Sequence, residues 1–140
     1  MSRGIAPIIA AFVATGAVAQ TSDSSDPIQT QNGIRYACTG VGASSREDPR
    51  WREFAAKLVF AAKNGGYLHD VTTRVVNAEG KTVFSTTCGP WLLLDLPAGR
   101  YDITATARDD AGSGHDSRAT VTVGGGGQSE TIIRFPSVPG

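Results

Sequence analysis

The chain has 140 residues, with 13 Lys and Arg balanced by 13 Asp and Glu, two His and two Cys. Charge so scattered and compensated forms no concentrated positive face, so nucleic acid and anionic lipid are not expected partners. Without its first residues, which read as an export signal, about 120 residues remain, enough for one domain with its own core and too few for two.

Met1 to Gln20 carries a basic Arg3, an apolar run from Ile5 to Val18, and small residues at Ala17 and Ala19. That is the pattern of a secretory signal peptide, with cleavage expected between Ala19 and Gln20. The run is shorter than the roughly 18 to 20 residues that cross a bilayer and contains Pro7 and Gly16, so no membrane span is expected after cleavage. The mature protein is then periplasmic or secreted, where thiols oxidise, and Cys38 and Cys88 are expected to pair. Two thiols are too few for a metal site, and the Cys-x-x-Cys spacing of a redox pair is missing. Closing a loop of roughly 50 residues restricts the unfolded chain by about 4 kcal/mol.

Residues 20 to 32 are rich in Ser, Thr, Asp and Gln and read as a flexible leader, so the folded domain is expected over residues 33 to 136. Ile34, Tyr36 and Cys38 alternate with polar or small residues as a strand does. From Asp48 to Lys63 the apolar spacing is helical, with Asp48 as N-cap and Pro49 at the first position. Lys57-Leu-Val-Phe-Ala61, however, suits a strand leading to the turn at Asn64-Gly-Gly66, so the segment divides into a short helix to about Phe54 and a strand from about Ala56. Tyr67 to Val76 and Lys81 to Cys88 form a hairpin about Asn77-Ala-Glu-Gly80. Trp91 to Leu96, a turn at Pro97-Ala-Gly99, and Arg100 to Arg108 follow. Arg118 to Val123 and Glu130 to Phe135 make a last pair joined by Gly124 to Gly127.

Short strands at this spacing, without helices between them, predict an all-β antiparallel sandwich of about seven strands, transthyretin-like or immunoglobulin-like, with one short N-terminal helix. Alternation assigns Trp91 and Leu93 to the interior with Leu96. Pro97 and Gly99 then turn the chain so that Tyr101, Ile103 and Ala105 enter the same core. Leu92 and Leu94, on the opposite face, are equally apolar and need a cover. The helix at Pro49 to Phe54 or the Cys38 strand, held by the disulfide, is the expected one; a dimer contact or binding patch is the alternative.

Gly89, Trp91, Leu93, Leu96-Pro97, Gly99 and Tyr101-Asp-Ile-Thr-Ala105, preceded by Val71 to Gly80, resemble the carboxypeptidase regulatory-like domain. Asn32-Gly-Ile-Arg-Tyr36, Leu58-Val-Phe60, Gly66-Tyr-Leu68 and Asp70-Val71 extend the likeness, over roughly Gly33 to Phe135, to small exported proteins of Gram-negative bacteria that carry this module alone. The resemblance implies a transthyretin-like fold. It implies no peptidase activity, because the module contains none of the zinc ligands or the catalytic acid of the enzymes it accompanies, and no ligand or partner comes with it.

No residues are expected to be catalytic or to hold a metal or cofactor. His69 and His115 adjoin Asp70 and Asp116, but neighbours on a strand face opposite ways and make no base and orienter. Asp109, Asp110 and Asp116 around Gly112-Ser-Gly114 lack the alternation and closing glutamate of a calcium loop. Gly40-Val-Gly42-Ala-Ser-Ser45 lacks the Gly-Lys-Ser of a phosphate loop. The expected role is therefore non-catalytic: contact with an envelope protein or, alternatively, with a cell-wall or imported glycan. A glycan would need exposed rings to stack on, for which Trp51, Tyr67 and Tyr36 are the candidates.

Overall fold

The structure, a computed structural model, describes residues 26–139. The signal sequence and its cleavage point at Ala19 and Gln20 lie outside the described residues. Nine strands form a two-layer sandwich: β1 (Gln29–Gln31), β2 (Ile34–Thr39), β3 (Ala56–Ala62), β4 (Val71–Val76), β5 (Thr82–Cys88), β6 (Trp91–Leu94), β7 (Gly99–Arg108), β8 (Gly114–Val123) and β9 (Ser129–Phe135). The larger sheet runs β1-β2-β6-β3-β9 and the smaller β5-β4-β7-β8. All pairings are antiparallel except β3 with β9.

The all-β sandwich is as expected, with more strands than the alternation showed. To the eight strand segments read in the sequence the structure adds β1, in the segment expected to be a flexible leader. Its residues are polar, so no period-2 signal marks them. What folds them is the turn that follows: Asn32 and Gly33 both take positive φ, 52° and 76°, as a two-residue hairpin requires. Asp26 adds an anchor by accepting a 2.6 Å hydrogen bond from Thr39 Oγ1.

The division between Asp48 and Ala62 follows the expectation. Asp48 accepts from the Arg50 backbone N–H at 2.9 Å, Pro49 opens a 3-10 turn over Pro49–Glu53, and β3 begins at Ala56. A further short helix, α1 (Ala43–Arg46), precedes it.

The layers meet in a core to which Leu58, Phe60, Leu92, Leu94, Ile133 and Phe135 come from the larger sheet and Val71, Val75, Phe84, Ile103 and Val121 from the smaller. Each such side chain stabilises the fold by about 1.5 to 3 kcal/mol when withdrawn from water. Here the expected facing of β6 is reversed. Leu92 and Leu94 point between the sheets with Tyr101 and Ile103, while Trp91 and Leu93 point outward. Four consecutive apolar residues carry no alternation, so the sequence offers no basis for choosing the face.

The outward face of Trp91 and Leu93 is covered, as something had to be, by the 3-10 turn: Trp51 and Phe54 pack with Ala37, Val59, Trp91 and Leu93 in a second, separate core. Gln128 clamps this lid by donating its amide to the carbonyls of Trp51 and Phe54, at 2.6 and 3.0 Å. Arg50 binds the Asp48 carboxylate at 2.6 Å and the Asp26 carbonyl at 3.0 Å.

The disulfide forms between Cys38 and Cys88, with Cα atoms 5.6 Å apart. It joins β2 to β5, tying one sheet to the other, and does not hold the lid as expected. Such a bond belongs to an oxidising, non-cytoplasmic environment. Among the described residues no helix is long and apolar enough to cross a membrane.

The last two strands also depart from the expected pairing. β8 pairs with β7, but after the four glycines the chain crosses to the other sheet, where β9 lies parallel to β3. Gly124, Gly125 and Gly126 take φ of 138°, 84° and 89°, a conformation that side chains resist and that lets the chain change layers in a few residues. Val121 and Val123 then enter the core from one side and Ile133 and Phe135 from the other. The hydroxyls of Ser117 and Ser129 stitch the two strands by donating to the carbonyls of Arg134 and Thr122, each at 2.7 Å.

Candidate functional site

The acidic loop after β7 is a turn held by its own side chains. His115 Nε2 and Asp109 Oδ2 lie 2.8 Å apart, and Asp109 Oδ1 accepts from the backbone N–H groups of Ala111 and Ser113 at 3.0 and 2.9 Å. The bond to His115, followed by the bond from Ser113, holds the Asp109 carboxyl below its usual range. Asp116 instead accepts from Thr106 at 2.7 Å. The histidine's partner is thus six residues away rather than adjacent, because the turn folds β7 and β8 back together. Among the described residues no three His, Cys, Asp or Glu side chains converge where they could hold a metal ion.

A depression of about 510 Å³ at one end of the sandwich is lined by Asn32, Ile34, Asn77, Lys81, Pro97 and Tyr101. Most of its polar groups are already bonded to the turns that form it. Asn77 Oδ1 accepts from the N–H groups of Glu79 and Lys81, Asn32 donates to the Val83 carbonyl, and Tyr101 donates its hydroxyl to the Pro97 carbonyl at 2.7 Å. Burial, with the nearby Glu79 charge, holds the Tyr101 phenol above its usual value. Pro97 and Tyr101 thus fasten the turn between β6 and β7, and Leu96 is buried beneath it.

The three aromatic candidates separate clearly. Trp51 is only 3% exposed and donates its indole N–H to the Ser45 carbonyl at 2.6 Å. Tyr36 packs edge-on against Phe84, ring centroids 4.9 Å apart. Tyr67 remains available, 48% exposed.

Tyr67 stands over the half of the larger sheet that the lid leaves open. Thr39, Trp91, Val59 and Ile132 form one row across β2, β6, β3 and β9, and Tyr67, Ala61 and Arg134 form the row beside it. Val59, Ala61, Gly65, Tyr67, Trp91, Glu130, Ile132 and Arg134 enclose a depression of about 230 Å³. The floor is apolar and small, the walls are Tyr67, Trp91 and Ile132, and the charges stand at the rim. Lys57 Nζ lies 3.5 Å from the Trp91 ring centre and pairs with Glu130 at 3.6 Å. Arg46 reaches over the Tyr67 ring, 5.8 Å from its centre, while donating to the Gly40 carbonyl at 2.9 Å.

Among the described residues the exposed large apolar side chains are Val41 at 59%, Ile132 at 49% and Tyr67. Two of them, Tyr67 and Ile132, line this same depression, while Val41 stands in the loop after Gly40. Soluble proteins scatter single exposed apolar residues; a cluster marks a contact surface. Of these residues the sequence nominated only Tyr67. Adjacent Ile132 and Ile133 were the available signal for another, since one of two neighbouring strand residues must face outward. The chain matches no protein-family model, no curated protein and no solved structure.

Proposed function

We propose that this is a non-catalytic β-sandwich protein, exported by a signal peptide cleaved after Ala19 and resident in the periplasm or outside the cell, that docks another envelope component on the open half of its larger sheet. The observation that carries this reading is that the exposed side chains of Tyr67 and Ile132, costly to leave in water, line one depression together with the Trp91 indole. Sandwich scaffolds commonly work in this way, with a rigid framework presenting a surface. The likeness of Gly89 to Ala105 to carboxypeptidase regulatory-like modules is part of the proposal; it implies no peptidase chemistry and brings no ligand with it.

A glycan ligand is the second reading and draws on the half-exposed Tyr67 ring. Native affinity capture from the envelope, with wild-type protein and with the double substitution Tyr67→Ala, Ile132→Ser, tests the docking surface. The same component should be retained by the wild type and lost by the variant. Equal retention by both would refute the reading.

A further inference from the structure

Resting on that reading, we infer that the occupant of the groove is a protein segment that inserts one apolar or aromatic side chain and flanks it with carboxylates. The floor supplies Val59 and Ala61, and the walls supply Ile132 and two aromatic rings. At about 230 Å³ the depression is smaller than the roughly 300 to 1,000 Å³ of a small-molecule pocket and suits a single anchoring side chain. Tyr, Trp and Arg around an aliphatic floor are also the residues enriched where proteins meet proteins.

The rim decides the flanking chemistry. Glu130 is neutralised by Lys57, whereas neither Arg46 nor Arg134 pairs with a carboxylate among the described residues. The groove therefore presents the Arg134 side chain in its own lining, with Arg46 over the Tyr67 ring beside it, and complementary charge on the partner is acidic. A sugar is served less well. Its hydroxyls need acceptors as well as donors, and Glu130, the one carboxylate lining the groove among the described residues, already holds Lys57.

The test is an array of random twelve-residue peptides probed with the full-length exported protein, disulfide intact, in parallel with Tyr67→Ala, Arg134→Ala and Arg134→Lys. All substituted side chains are solvent-exposed, so the variants keep the fold. The expected peptides carry an aromatic or large aliphatic residue with Asp or Glu within two positions. Their binding should fall about tenfold in Tyr67→Ala and in Arg134→Ala, recover in part in Arg134→Lys, and weaken with salt.

Peptides that depend on Tyr67 but are neutral or basic would overturn the acidic partner while leaving the docking surface standing. So would an array without selected peptides combined with chitohexaose perturbing the Tyr67 and Ile132 amide resonances. Peptides indifferent to Tyr67→Ala, or no perturbation of those resonances by either probe, would overturn both.

Discussion

The side-chain amide of Gln31 pairs with both backbone groups of Ser85, donating to its carbonyl at 2.9 Å and accepting from its N–H at 3.0 Å. One side chain thereby does for the outer edge of β5 what a neighbouring strand would do. Asn32 extends the cover by donating to the Val83 carbonyl at 3.1 Å. An edge strand with open N–H and C=O groups is a template for aggregation, and here the β1–β2 hairpin closes it without lengthening the sheet.

Gln31→Ala should therefore lower stability by about 1 to 2 kcal/mol, the net value of two such bonds, and speed hydrogen exchange at the Ser85 amide. Urea titration with exchange measured by NMR checks both. Unchanged protection at Ser85 would show that the pairing does not persist in solution.

Gly40 is required by Trp91. A Cβ at position 40 would lie 2.7 Å from Trp91 Cγ, and the backbone there has φ of 101°. Gly40→Ala must displace the indole as well as strain the chain, at a cost of about 2 kcal/mol or more, and it should shift tryptophan emission. An unaltered denaturation midpoint would contradict this packing.

Thr73 is fully buried between the sheets, and its hydroxyl has no hydrogen-bond partner among the described residues. Replacing it with the similarly shaped valine removes an unsatisfied polar group from the core. Thr73→Val should raise stability by about 1 kcal/mol, read as a higher urea midpoint with unchanged m.

The Asp109 turn makes part of the stability depend on pH. Because the folded state holds this carboxyl below its unfolded value, the contribution is complete above the unfolded pKa, about 3.9, and disappears as pH falls through the lower folded value. Asp109→Asn should be less stable than wild type at neutral pH, with the difference narrowing on acidification below about pH 4. A constant difference across that range would exclude the carboxylate as its source.

Alternation in the sequence located the strands that have one wet and one dry face. Ile34, Tyr36 and Cys38 in β2, and Val71, Thr73 and Val75 in β4, face inward together as their spacing requires. The change from helical turn to strand near Ala56 was likewise legible, from Asp48, Pro49 and the apolar run after Lys57. β1 was not, because a polar strand held by an Asn-Gly turn and a glutamine side chain leaves no apolar period to read. Most of the candidate groove was hidden for a related reason: Ile132 and Arg134 are unremarkable in sequence and become neighbours of Tyr67 only when β9 crosses to lie beside β3, and Arg46 reaches the Tyr67 ring from the short helix after β2.

Local chemistry alone determined the class of fold: β-branched and aromatic runs too short for helices, broken by glycine and asparagine turns, must pair as strands and bury what is apolar. It also supplied the two cysteines. Which face of Trp91-Leu-Leu-Leu94 meets the second sheet was decided only in three dimensions, because apolar residues on both sides of a strand are equally content with either cover. The second sheet took Leu92 and Leu94, and the lid of Trp51 and Phe54 took Leu93 and part of Trp91. The lid is shorter than the sheet it covers, and the uncovered remainder, with Tyr67 and Ile132 at its border, is the surface left for a partner.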